Sequence, residues 1–275
     1  MGDKDNRRMG ARPRQAQKGV AAVTSADRHP SYPHPTIAEA LCEIHFRLPA
    51  DKPWRPALIG EFFKAIQEQF PEMEPVQELG LQVEVGSGGV SQRVLPPRSR
   101  VRFKHRDRPL ILQLVEGTLT VNLLPRYPGW EQMRQDVIEA WKRAIETLHA
   151  RAIWRIGLRY INRIPRQSEP ERPGDWLRPT DFIPAGVLGS AQGFLARNEV
   201  QLDKENRIIV TLGDQPPDGE APWGAIVLDI DRILERDLST DEALLLREID
   251  ALHDDVWRLF SNAQTERLTA FLNQR

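Results

Sequence analysis

Apolar and polar residues alternate from Thr36 to Leu48. Ala40, Cys42, Ile44 and Phe46 point one way, and Glu39, Leu41, Glu43 and His45 point the other. A period of two is a strand with one buried face. The same period returns from Ala152 to Ile164, where Trp154, Ile156, Leu158 and Tyr160 oppose Arg155, Arg159 and Arg163. Each such strand is followed, far down the chain, by a long amphipathic helix. A chain with this pattern must lay helices over one face of a sheet.

The intervening signals repeat loosely. Pro56 opens a helix with Leu58, Phe62, Ile66 and Phe70 on one stripe, and Pro71 and Pro75 end it. Gly86, Gly88 and Gly89 mark a flexible turn or loop. Three strands follow over Arg98–Arg106, Leu110–Glu116 and Thr118–Leu124, the last two joined at Glu116-Gly117. A helix from Trp130 to Leu148 buries Met133, Val137, Trp141 and Ala144. After Ala152–Ile164 comes an irregular stretch from Pro165 to about Gly193, then strands over Ala196–Leu202, Arg207–Leu212 and Gly224–Ile230. Ser239-Thr240-Asp241-Glu242 reads as a capping box with the serine as cap. It starts a helix carrying Leu245, Ile249, Leu252, Val256 and Leu259, and a short helix around Leu268–Leu272 closes the chain. The fold class is α+β: two similar halves, 31–150 and 151–275, each an antiparallel sheet with helices on one face, joined into one curved sheet.

Charge is distributed unevenly. The whole chain of 275 residues carries a net charge of −1. Residues 1–30 hold seven Lys/Arg against three Asp and no periodic apolar residues, so they read as a disordered basic tail. A basic arm touching a phosphate backbone is the functional alternative. Arg93–Arg108 holds seven more cations opposed by Asp107 alone. The single cysteine, Cys42, excludes a disulfide framework. No apolar run reaches the roughly 18–20 residues that span a bilayer, and the charged N-terminus lacks a secretory stretch. A soluble cytoplasmic protein with no membrane partner is expected.

Common catalytic signatures are missing. Gly86-Ser87-Gly88-Gly89 lacks the lysine of a phosphate loop, and no serine sits in nucleophile-elbow spacing. The six histidines never pair at metal-binding intervals. No catalytic residue, metal ligand or cofactor is assigned. Asp229 and Asp231, two apart on a strand, would project to one face and could share a cation with a nucleotide's phosphates; a solvated pair at a strand end is the plainer account. Glu39, Glu43, Arg155, Arg159 and Arg163 either pair across strands or line a groove for a polar ligand. Asp250, His253 and Asp254 share one helix face, where a surface hydrogen bond outranks a catalytic base. Tyr127 and Trp130 pin a turn to the core, with an aromatic platform for a ligand as the lesser reading, and Cys42 is a small core residue. Arg98, Arg100, Arg102, Lys104 and Arg106 form a basic row fit for nucleic-acid phosphates, or for guarding a sheet edge.

His34-Pro35-Thr36-Ile37-Ala38-Glu39-Ala40, then Glu43-Ile44-His45-Phe46, resembles the opening of a sporadically distributed family of bacterial and archaeal proteins of unknown function. The likeness continues at Tyr127-Pro128-Gly129-Trp130-Glu131, at Arg155-Ile156-Gly157-Leu158-Arg159-Tyr160-Ile161-Asn162-Arg163-Ile164, at Leu228-Asp229-Ile230-Asp231 and at Leu252-His253-Asp254. Thr36 stands where that family has a second proline, and His45 where it has arginine. The resemblance implies a fold rather than an activity, and patchy distribution points to a defence or toxin–antitoxin locus. Taken with the absent signatures, the expected function is a non-enzymatic module recognising a protein partner. A nucleic-acid-binding protein using Arg98–Arg108 and a metal-dependent phosphoester enzyme using Asp229 and Asp231 are the alternatives.

Overall fold

Strands from both halves of the chain hydrogen-bond into one sheet. The computed structural model describes residues 29, 31–86, 89–169 and 171–274, with the backbone alone for 77–86 and 89–99. Among them are nine strands: β1 (Ile37–Arg47), β2 (Glu72–Gly86), β3 (Gly89–Lys104), β4 (Leu110–Val115), β5 (Thr118–Leu123), β6 (Ala152–Pro165), β7 (Leu195–Gln201), β8 (Asn206–Gln215) and β9 (Ala225–Leu238). They pair antiparallel in the order β2-β3-β4-β5-β1-β6-β9-β8-β7. The helices are α1 (Ala57–Ile66), α2 (Trp130–Leu148), α3 (Pro173–Trp176), α4 (Ala185–Leu188), α5 (Glu242–Ala263) and α6 (Glu266–Leu272).

Alternation decides which face is covered. Cys42, Val121, Leu158 and Ile230 all turn to one side and are fully buried. Against them lie Phe62 of α1, Met133 and Trp141 of α2, and Leu245 and Ile249 of α5, within one apolar cluster. Leu188 of α4 and Trp176 of α3 belong to the same cluster. The opposite face therefore carries no helix among the described residues. Burial pushes the Cys42 thiol up to about 12, consistent with a packing role.

The structure departs from the sequence reading at several points. Glu72–Gly86, where the sequence reading has a helix stop at Pro75 and no strand, is the strand β2 paired along β3. It is the edge strand, where Pro75 forfeits no obligatory ladder bond. Trp154 does not face the core. A register shift between Ile153 and Arg155 reverses the parity, so Ile153 is buried and Trp154 packs edge-on to His45 on the open face. The cap of α5 is Asp241, which accepts from the Leu244 amide at 2.8 Å. Ser239 lies before the first turn, and Glu242 pairs with Lys142 instead of reaching back. β9 runs on to Leu238, which moves Asp229 and Asp231 from a strand end to its middle. The tail expected over 1–30 lies outside the described residues apart from His29. No helix among the described residues is long and apolar enough to cross a membrane.

Candidate functional site

Across β1, β6 and β9 the register sets Leu41, Arg159 and Asp231 side by side on the open face. One step along stand Glu43 and Gly157, and one step back stand Glu39, Ile161 and Asp229. Because β6 neighbours both β1 and β9, its guanidiniums find carboxylates on either side. Arg159 donates from Nε and Nη2 to the two oxygens of Asp229, at 2.8 and 2.6 Å. That bidentate bond raises the Arg159 pKa further. Glu43 Oε1 lies 2.5 Å from His45 Nε2 and 3.1 Å from Arg155 Nη1. Burial opposes ionisation of Glu43, yet the His45 hydrogen bond and the charges of His45, Arg155 and Arg100 hold its carboxyl below the usual range.

Gly157 opens a gap in this floor. A side chain there would meet Asp231 Oδ1 at 3.8 Å and Glu43 Cβ at 3.9 Å. Asp231 receives no hydrogen bond among the described residues. Burial pushes its carboxyl up to about 6, against the pull of Arg159 and Arg155 and with a further push from Asp229 and Glu43. Farther across the same face, on β4 and β5, the floor is polar and buried: Gln113, Thr120 and Asn122 are each at most 5% exposed. Asn122 donates to Glu39 at 2.8 Å, but its Oδ1 has no partner among the described residues.

Of the residues singled out from sequence, Glu39, Glu43, Arg155, Arg159, Asp229 and Asp231 thus share one face. Arg163 projects from the same face but stands apart from this cluster, its guanidinium drawn to Asp218 and Glu220 in the loop after β8. Asp229 and Asp231 do project together, but Arg159 occupies both oxygens of Asp229. The basic row is also altered. Lys104 pairs with Glu72 and Glu74 of β2, while Arg100 and Arg102 donate to Gln113. Arg106 falls beyond the end of β3 and leaves the row, and the Arg98 side chain lies outside the described residues. The acids that temper these cations belong to the strand that the sequence reading missed.

A second candidate lies on the helix-bearing side. A cavity of about 130 Å³ is walled by Tyr32, Tyr127, Trp130, Tyr160, His253 and Trp257, among others. The Tyr127 and Tyr160 hydroxyls meet at 2.8 Å, and burial raises both phenol pKa values. His253 is 6% exposed and stacks on Trp130 with ring centroids 4.0 Å apart and planes 4° from parallel. Burial, with a lesser push from His29, drives its pKa down to about 3, so the ring is neutral. Asp250 does not orient it; that carboxylate accepts from Trp130 Nε1 and Arg134. Asp254 is bound instead by His29 Nε2 at 2.5 Å. Extending the Ile249–Val256 stripe by helical spacing would have turned His253 inward, but nothing in the local sequence pairs it with His29. The chain matches no family model and no curated protein, so both sites stand on their geometry.

Proposed function

We propose that this chain is a non-enzymatic binding module that recognises a protein partner on the open face of its sheet. The observation that carries the reading is Asp231: a carboxylate held at an energetic disadvantage in a half-buried floor, with no donor of its own. A partner side chain with a cationic donor would satisfy Asp231, and charge-assisted hydrogen bonds of this sort are the strong ones. The mosaic of both signs favours a protein over a nucleic acid, whose phosphates would want cations unopposed by Glu72 and Glu74. A phosphoester enzyme would have to displace Arg159 from Asp229 before the two aspartates held a metal.

We also read the two halves as copies of one unit. β1 and β6 adjoin at the centre, each flanked outward by the last strand of its own half, β5 or β9, then by the strand before it. In each half a long helix, α2 or α5, follows the last strand, and this order supports the reading.

Capture from the organism that carries the gene tests the function. Wild type and Glu139→Gln, a change on the exposed side of α2, are expected to retain one stoichiometric protein. Asp231→Asn is expected to weaken that complex about 10–100-fold, the range for losing a hydrogen bond to a charged group. A protein held equally by Asp231→Asn, or material lost on nuclease treatment, would overturn the reading.

A further inference from the structure

We propose that His29, His253 and Asp254 form a binding site for a divalent transition-metal ion of the kind that prefers imidazole. Each residue offers one ligand atom, and the three atoms lie within 4.8 Å of one another. They come from distant parts of the chain: His29 precedes β1, and the other two sit on adjacent positions in the middle of α5. Such convergence is not a by-product of local sequence. His253 cannot wander, because Trp130 lies flat against it and Tyr160 and His29 crowd its other sides. A ring locked by packing is the kind of ligand that binds a metal without first losing freedom.

The hydrogen bonding points the same way. The Nδ1 atoms of both His29 and His253 are buried without a partner among the described residues. Buried polar atoms are ordinarily satisfied, and two unsatisfied imidazole nitrogens in one cluster call for an occupant. Two imidazoles and one carboxylate suit Zn²⁺, Co²⁺ or Ni²⁺ better than Mg²⁺ or Ca²⁺, which favour oxygen alone. Ligand atoms of a tetrahedral site stand about 3.4 Å apart when bonds are near 2.1 Å. A metal held by His29 Nε2 and Asp254 Oδ1 would therefore replace their hydrogen bond and part the two atoms from 2.5 Å, which Asp254 permits because its side chain is 44% exposed. Three protein ligands leave a position open toward the aromatic cavity that His29 and His253 help to line. The site is on the face opposite Asp231, so it stands or falls apart from the partner-binding reading.

The test uses the full, untagged chain after chelation and dialysis, titrated with Co²⁺ or Zn²⁺ alone. We expect saturable binding of one equivalent, ligand-field absorption from the Co²⁺ form, and a rise in melting temperature with metal concentration. His29→Ala and Asp254→Asn are each expected to weaken binding at least tenfold. Both remove partly exposed side chains, so folding is retained; His253→Ala should abolish binding. His149→Asn is the control. It removes an exposed histidine at a left-handed position (φ 59°) where asparagine is well tolerated, and it should leave binding unchanged. Absence of one-equivalent binding, or binding indifferent to His29→Ala and Asp254→Asn, would overturn the proposal.

Discussion

Trp130→Ala is expected to lower the unfolding free energy by about 3–5 kcal/mol, the range for deleting a large buried aromatic. The indole sits at the first position of α2 and is 8% exposed. It stacks on His253 of α5, and its Nε1 donates to Asp250 Oδ1 at 3.1 Å, also on α5. One side chain therefore ties the start of one long helix to the middle of the other. Removing it opens a space beside a cavity that already exists, and nothing nearby is poised to fill that space. It also leaves His253 buried without its stacking partner. Trp130→Phe keeps a ring against His253 and loses the hydrogen bond, so its cost should be smaller, about 1–2 kcal/mol. Urea unfolding of the three proteins checks this. A Trp130→Ala midpoint indistinguishable from wild type would mean that the α2–α5 contact contributes little.

Local pattern made most of the sheet legible and left the sites only half visible. β1 and β6 were readable because one covered face forces a strict period of two, and α2 and α5 because their apolar stripes are long. β2 was not, since Pro71, Pro75 and Gly80 are breakers by any local rule. What tolerates Pro75 is a tertiary fact, its place at the sheet edge. Trp154 was misplaced because a one-residue shift in pairing inverts a face, and bulges leave little trace in composition. The open-face charges were nameable as residue types, yet their pairing depended on which strands adjoin β6. The Arg159–Asp229 clamp exists because β9 follows β6 in space after some sixty residues of intervening chain. The aromatic cavity lay furthest from view. His29 belongs to a segment whose composition argues for a tail, and only the tertiary fold sets it against Trp257 and His253.

Asp231→Asn should make the protein more stable at neutral pH, by about 2–3 kcal/mol. The folded protein holds the Asp231 proton up to about pH 6, whereas an aspartate ordinarily releases it near 3.8. Between those values the folded state binds the extra proton, so stability falls as pH rises through the window and stays low above it. About two units at 1.36 kcal/mol each sets the scale. Asparagine has the shape of the protonated acid and no charge to desolvate, so the variant lacks this decline. Glu43, whose pKa is lowered, contributes the opposite slope, present in both proteins and removed by subtraction. Unfolding measured at pH 4 and at about pH 7.5 should give near-equal stabilities at the first and a gap at the second; parallel curves would refute the burial cost. A residue kept at that cost is one whose ionised form is wanted elsewhere. A cationic partner group would draw the Asp231 pKa down, so complex formation releases a proton and tightens as pH rises from 5 to 7. The same complex made with Asp231→Asn should be weaker and lose that dependence, which separates a recognition role from a merely strained aspartate.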